Sequence, residues 1–428
     1  MTTFQISMPV MLFIVQTLIV NEKLLDSYLF RIFRVLGVVD PMRLFISLMV
    51  QSINGVEFQL HYREQFPEIK KQYSGLFSVY CPDKIREYIS RITTGMAAWK
   101  IFLFQAWLVR TQCPELLDGG VLDIDVKTIQ STSSKKEGAE NGFNKKAKGK
   151  PCFQLAASMI GRLFIDVKLF PGCTNPEFFF QHQVKRAKAS GLPFEIVRAD
   201  SAYLTIENLL CMAKLSLWYA IGAPATFSVV KSGMESFKKM ARRKSKDIIF
   251  VSKGVSILDM GKVMIAPGLE SRVMIVRRIS RKKNRRTGKW TIRTYFYGIA
   301  SNLKLSPAKL YAFYHKRQNI EAGFRELSGH YQLERLPFRS LKANEFHIAR
   351  KVLAMTLFKM FQKKFLPKSM QHMLLKTFIR SVLLKSFRLT AKGKVEIFCG
   401  ASHTWLLRRL IAKTDRMKIG LNARISMG

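Results

Sequence analysis

The chain has 428 residues, with 71 Lys and Arg against 29 Asp and Glu, a formal net charge of +42. Hydrophobic residues make up 48% of it, which excludes a disordered basic tail, because disorder needs low hydrophobicity together with high charge. So large a positive excess calls for a polyanion, nucleic acid first and an anionic membrane surface second, and the length suggests about two or three domains.

Residues 1–21 carry no charged side chain, and Pro9 to Val20 is strongly apolar. A signal peptide needs a basic start and a small-residue cleavage site, which are missing here. A spanning helix needs about 20 mostly apolar residues, and Gln5, Ser7, Pro9 and Gln16 interrupt this run. A buried element of a helical N-terminal region is the expectation, and a membrane partner is not. Residues 22 to 110 read as helices: Leu24, Leu25, Leu29, Ile32, Phe33 and Leu36 recur near helical spacing, Asp40-Pro41 opens Met42 to Ile53, Pro82 opens a pattern through Ile92, and Met96 to Val109 is apolar on most faces. This region is either a DNA-binding module or a helical support. No helix-turn-helix pattern decides between them.

The texture changes at Asp118-Gly119-Gly120. Val121 to Val126 alternates as a strand does, and a Gly- and Lys-rich loop follows from Ser131 to Lys150. Two strands, Phe153–Ile160 and Leu163–Phe170, flank a Gly161-Arg162 turn. Pro176 opens a helix to Ala189, Phe194 to Ala199 is a short strand, Thr205 to Lys214 a helix and Leu217 to Ile221 a strand. Strands that precede helices make this an α/β unit. Residues 225–303 read as β-rich, with strands at Asp247–Ser252, Arg272–Ile279 and Trp290–Ile299 and basic runs at 238–246 and 277–289. The second run has eight basic residues in thirteen and lies between two strands, so it is expected at a hairpin tip. Trp290 and Tyr295 beside it could stack on bases, although burial in the core is the ordinary expectation for both. Ser306-Pro307 opens one helix to Leu327, with Pro307 in the first turn, and residues 339 to 385 are helical again. The last forty residues are basic and weakly patterned.

Carboxylates are scarce, so acids set in apolar strands carry information. Asp123 and Asp125 lie two apart and share a strand face. Asp200 ends a strand just before a helix, where α/β folds place ligand-binding groups, although capping that helix is an equal reading. Tyr314, Arg317, Glu321 and Arg325 fall on one helical stripe. Such a stripe suits a phosphate backbone beside a metal, with Glu321 ligating the ion, Arg317 and Arg325 clamping phosphates, and Tyr314 bonding a phosphate or stacking on a base. Arg–Glu pairing on a solvated face is the bland alternative. Convergent carboxylates are what a hard divalent cation such as Mg²⁺ needs.

Together Ile124-Asp125-Val126, Arg198-Ala199-Asp200-Ser201-Ala202-Tyr203 and Tyr314 to Glu321 resemble the DDE transposases of bacterial insertion sequences, in the group with a Tyr-x2-Arg-x3-Glu-x6-Lys signature. Tyr314, Arg317 and Glu321 match its first three positions, whereas the Lys position is Ser328, with Arg325 nearby on the same face. The resemblance spans roughly residues 115 to 360. It implies an α/β fold: an RNase H-like core of mixed sheet flanked by helices, a β-rich insertion, and helical N- and C-terminal regions. The divisions are then 1–114 (helical), 115–224 (first part of the core), 225–303 (basic insertion), 304–345 (last core helix) and 346–428 (helical and basic).

The resemblance further implies two Mg²⁺ ions, with Mn²⁺ as a substitute, held by Asp125, Asp200 and Glu321. The expected activity is cut-and-paste transposition: strand cleavage at element ends, then attack of the freed 3′-hydroxyl on target DNA. Asp123 is the reserve for the first acid. Tyr314, Arg317 and Arg325 would contact DNA, as would Arg281, Lys282, Lys283, Arg285 and Arg286 in the second basic run. The expected partners are element-end and target DNA and a second copy of the chain, with no small-molecule substrate.

Six widely spaced cysteines, with no two within five residues, exclude zinc-finger spacing and a dense disulfide framework. Free thiols in a reducing, cytoplasmic and nucleoid-associated setting are expected. Two other readings stay open. One is a catalytically inactive relative that only binds DNA, favoured by Ser328 and Ala202. The other is a basic membrane-associated protein.

Overall fold

The computed structural model describes residues 31–53, 67 and 78–378, apart from residues 118, 143, 145–146, 176–177, 244, 284–287 and 289. It also gives the backbone of Phe387–Leu389, Val395–Phe398 and Ala423–Ser426, and at Ile32, Lys282 and Lys283 the backbone alone. The apolar run at 9–20, Pro176, Arg285, Arg286, Cys399 and most of the last fifty residues lie outside the described residues.

The N-terminal helices are α1 (Arg31–Val35), α2 (Pro41–Ile53), α3 (Pro82–Ser90) and α4 (Met96–Gln112). Asp40 starts α2 by accepting the Arg43 amide at 2.9 Å, and Pro82 stands in the first turn of α3. Of these, α2 and α4 are apolar on most faces because they pack on another helix, α10 (Leu341–Phe365), whose own residues are almost all buried. Arg350 of α10 is 1% exposed and donates to the Leu48 carbonyl at 3.2 Å and to Ser52 Oγ at 2.8 Å, which ties α2 to it. Among the described residues, no helix is long and apolar enough to cross a membrane, and the five described cysteines are free.

The core sheet is built from β1 (Val121–Gln130), β2 (Glu140–Asn141), β3 (Pro151–Ile160), β4 (Leu163–Pro171), β5 (Ile196–Ala199) and β6 (Trp218–Ala223). Gly161 takes φ +61° in the β3–β4 turn, a conformation that suits glycine. α5 (Phe179–Ala189) and α6 (Ile206–Lys214) connect the later strands, and the Thr205 hydroxyl accepts the Asn208 amide to cap α6. β1 runs antiparallel to β3 and parallel to β5, β4 is antiparallel to β3, and β6 is parallel to β5. The strand order β4-β3-β1-β5-β6, with these directions, is the RNase H-like arrangement of a mixed sheet flanked by helices. β4 is the edge on this side, and α10 covers it: Glu345 accepts the Leu169 amide at 3.3 Å and pairs with Lys168 at 3.6 Å.

Residues 225–303 are β-rich but also hold a helix that the sequence pattern did not place. They open with a helix, α7 (Ser228–Arg242), whose Val230, Met234, Phe237 and Ala241 face the sheet at helical spacing while the Lys238–Arg243 charges cover the opposite side. Four strands follow: β7 (Ile248–Ser252), β8 (Val255–Ala266), β9 (Leu269–Lys283) and β10 (Trp290–Ser301). The sequence reading missed β8 because a register shift between Asp259 and Lys262, with Gly261 at φ +66°, interrupts its alternation. β10 pairs antiparallel with β6, so these strands extend the core into one ten-stranded sheet among the described residues.

Lys283 pairs with Trp290, so the second basic run does sit at the end of a hairpin. β8 stops pairing with β9 at Arg278, and beyond that point β9 and β10 form a two-stranded ribbon. That geometry corrects the expected burial of Trp290 and Tyr295, which are 65% and 47% exposed: among the described residues Trp290 lies on the two-stranded part, and Tyr295 lies at the last row that β8 reaches. The expected single helix from Pro307 is two: α8 (Pro307–His315) and α9 (Gln318–Gly329). Tight i to i+3 hydrogen bonds at Lys316, Arg317 and Asn319 replace the regular ladder at the junction. α11 (Leu375–Phe378) closes the described helices.

His182 on α5 gives this packing a pH signature. Its ring sits edge-on against Phe170, and burial, then Arg186 and Lys168, push its pKa down to about 4. The unfolded chain takes that proton at about 6.5, so this contribution is complete above that pH and is lost as pH falls toward 4. Replacing His182 with Phe should flatten the acid side of the melting-temperature profile relative to wild type between those limits, by up to about 1.4 kcal/mol per pH unit in unfolding free energy. Parallel profiles from calorimetry would show that His182 carries its proton in the folded chain.

Candidate active site

The site grows from the parallel pairing of β1 with β5. Asp123 stands in register with Arg198. Arg198 Nε and Nη2 donate to the two carboxylate oxygens of Asp123 at 2.7 and 2.8 Å, and Nη1 donates to the Phe313 carbonyl at 2.7 Å. Asp123 is 1% exposed and both its oxygens are engaged, so it is a structural partner and not the first acid held in reserve. Two residues further along each strand, on the same face, come Asp125 and Asp200.

Asp125 Oδ1 accepts the Val126 amide at 2.9 Å, and Oδ2 accepts from Arg317 Nη1 at 3.4 Å. Asp200 begins a short 3₁₀ turn, Ser201–Tyr203, and accepts the Ser201 amide at 2.7 Å, so it does cap, as its position before a helix suggested. α9 lies on the same face of the sheet. Gly323 lets it press close, because a methyl there would meet the Phe164 ring at 2.8 Å. That approach brings Glu321 to the acid face, where Arg317 Nη2 lies 3.5 Å from Glu321 Oε1. Burial pushes the Asp125 carboxyl up to about 6. Arg317 and the Val126 amide pull it down, and Asp200 and Glu321 push it up again. Asp125 therefore feels both other acids, and all three act on a single guanidinium, itself only 14% exposed.

Tyr314 is buried, and its hydroxyl is pushed up to about 12, chiefly by burial. Gly222 on β6 makes room for it: a methyl there would stand 2.6 Å from the Tyr314 hydroxyl and 2.9 Å from the Ser201 nitrogen. A cleft of about 380 Å³ opens beside these groups, lined by Asp200, Arg317, Tyr314, Arg278, Tyr297 and His315 among others. Tyr297 and His315 are joined through Oη and Nε2 at 3.0 Å. Arg325 is exposed on α9, one turn beyond Glu321, and Arg281 is exposed on the ribbon. Lys282 and Lys283 continue that strand toward its tip.

Three features escaped the sequence reading. The Tyr203 hydroxyl is buried without a hydrogen-bond partner, and Asp125 and Asp200 both push its pKa up beyond the effect of burial. Lys127, two residues past Asp125, pairs with Glu334 at 3.1 Å, and Glu334 also accepts from Ser328 at 2.7 Å. Thus a cation from β1 stands beside the position where the signature has its Lys. The wall of Arg278, Tyr297 and His315 comes from strands and a helix end that no local motif links. Only the alternation of Asp123, Asp125 and Lys127 carried a signal, for Lys127.

Among the described residues, no three His, Cys, Asp or Glu side chains stand close enough together to hold a metal ion. Arg317 lies among the carboxylates instead.

Asp123 and Arg198 make a clean stability test. Removing one member of a buried pair leaves the other charge uncompensated, so Asp123→Ala should destabilise the fold by about 3–5 kcal/mol in urea denaturation. A loss below about 1 kcal/mol, the level of an exposed pair, would mean that water reaches Arg198.

The profile of a family described as transposase DDE domain group 1 matches residues 120–414. No curated protein matches the sequence. Among solved structures, a piggyBac transposase synaptic complex with hairpin DNA aligns at TM-score 0.33 and 11% identity, covering 82% of this chain and 77% of that one.

Proposed function

Because the chain belongs to the transposase DDE domain family, we propose that it cuts DNA strands at the ends of a mobile element and joins the freed 3′ ends to target DNA, using Asp125, Asp200 and Glu321. One observation carries this reading: β1, β5 and α9 bring carboxylates far apart in sequence around the Arg317 guanidinium. Asp125, Asp200 and Glu321 are hard oxygen ligands of the kind Mg²⁺, or Mn²⁺ in its place, takes, although in the described arrangement the Arg317 guanidinium contacts Asp125 and Glu321 where an ion would be needed. Asp125, Asp200 and Glu321 would hold the ions. When bound, such ions activate a water or 3′-hydroxyl and stabilise the leaving oxygen.

The chain's own groups bind and orient the substrate. Arg317 and Arg278 both line the cleft with Tyr314, His315 and Asp200, a setting for a phosphodiester. Arg325 lies along the same helix for the neighbouring phosphate. The ribbon, with Arg281, Lys282 and Lys283 leading to Arg285 and Arg286, grips the backbone further out without reading sequence. A second copy of the chain would hold the other element end.

Asp125→Asn, Asp200→Asn and Glu321→Gln should each abolish Mg²⁺-dependent strand cleavage while DNA affinity stays within about threefold. Cleavage at the wild-type rate by any one of them removes that acid from the site, and a wild-type protein that binds DNA but never cleaves it leaves only the DNA-binding relative. Alanine at Arg281, Lys282, Lys283, Arg285, Arg286 and Lys289 together should flatten the dependence of log affinity on log salt by about one unit for each phosphate that is no longer neutralised. An unchanged slope would place the ribbon away from DNA.

A further inference from the structure

The contacts of Arg317 suggest more than a phosphate clamp. Its two terminal nitrogens reach different acids, Nη1 to Asp125 at 3.4 Å and Nη2 to Glu321 at 3.5 Å. Asp200 also acts on it electrostatically, so all three carboxylates bear on one cation. The contacts are long for charge-assisted bonds, which run about 2.7–2.9 Å. By contrast, Arg198, on the same face, holds Asp123 at 2.7 and 2.8 Å. Arg317 sits at the tight turn between α8 and α9, and its side chain also lines the open cleft. A guanidinium so placed has two destinations within reach of one long side chain: the acids, or an anion in the cleft.

We propose that Arg317 is an internal counter-cation that competes with divalent ions for Asp125, Asp200 and Glu321, so that the acids load metal only when the guanidinium leaves them. This rests on the three acids being the metal site, and it adds a regulation of that site. Three carboxylates gathered in a half-buried position need positive charge. In the DNA-free chain Arg317 supplies it and occupies the Asp125 and Glu321 oxygens that an ion would take. A phosphate entering the cleft offers the guanidinium a new partner and frees those oxygens. Metal loading is thereby linked to arrival of the substrate, and a transposase without DNA is kept from binding the ions that arm it.

The test is Mn²⁺ binding to the full-length, DNA-free chain, read from the free-ion electron paramagnetic resonance signal. R317Q should bind Mn²⁺ about tenfold more tightly than wild type, since a cation in direct competition is removed. K309Q, which loses the same charge from an exposed position on α8, should change affinity by less than about twofold, as screening at a distance predicts. Adding Asp125→Asn to R317Q should return binding to the wild-type level or weaker. Affinity of folded R317Q equal to that of wild type overturns the competition while leaving the acid assignment to the cleavage variants. Tight binding that survives Asp125→Asn puts the ion elsewhere and overturns the acid assignment with it. Should R317Q not fold, R317K replaces it: a single ammonium cannot span both carboxylates, so tightening of about threefold is expected, and none overturns the proposal.

Discussion

The geometry of the site depends on the buried pair between Asp123 and Arg198. The hydrogen bonds between parallel strands do not by themselves select a register, and a slip of one residue would turn every acid of β1 to the other face of the sheet. The two-pronged contact at 2.7 and 2.8 Å selects one register, because any other leaves two charges buried apart. Its third donor reaches the Phe313 carbonyl, so the same guanidinium fixes the end of α8 against the sheet. The register sets Asp125 and Asp200 just past the last pair between β1 and β5, and the Phe313 contact holds the chain next to Tyr314.

The extension of the sheet does the next share of the work. β10 lies beside β6, so the strands after α7 grow from the core instead of hanging from it by a linker. Tyr297 and Arg278 thereby reach the cleft, which Asp200 also lines, from a continuous hydrogen-bonded surface. The ribbon then carries its basic residues away from the acids along the same surface. A chain with 71 basic residues and 29 acidic ones thus concentrates a few carboxylates in its core and distributes cations around the approach.

What the sequence disclosed follows from the range of the forces involved. Strand alternation at Val121–Val126, the Gly161 turn and the Thr205 cap are local, and each element lies where those signals put it within a few residues. The three acids were singled out through spacing that a known family shares, and all three act electrostatically on one arginine. α7 was hidden because its basic run outweighed the four apolar residues that face the sheet, and β8 because a bulge broke its period. The break at Lys316–Arg317 has no sequence signature, since the residues there keep helical backbone angles and only the hydrogen-bond pattern tightens. The role of Asp123 was beyond reach for a different reason. From the sequence it is indistinguishable from Asp125, and only the long-range partner Arg198 separates them.

Two arginines on one face of the sheet show how the same side chain is assigned to different tasks. Arg198 is almost fully buried and makes a short bond from each of its three guanidinium nitrogens. Arg317 is partly open, bonds at longer range to two acids, and borders a cleft large enough for a ligand group. Moving Arg198 would cost the fold, whereas moving Arg317 exchanges one set of anions for another at similar depth. The difference between a fixed and an exchangeable cation therefore lies in the number of alternative partners each guanidinium can reach, and the second kind is what a site that must meet both metal and phosphate requires.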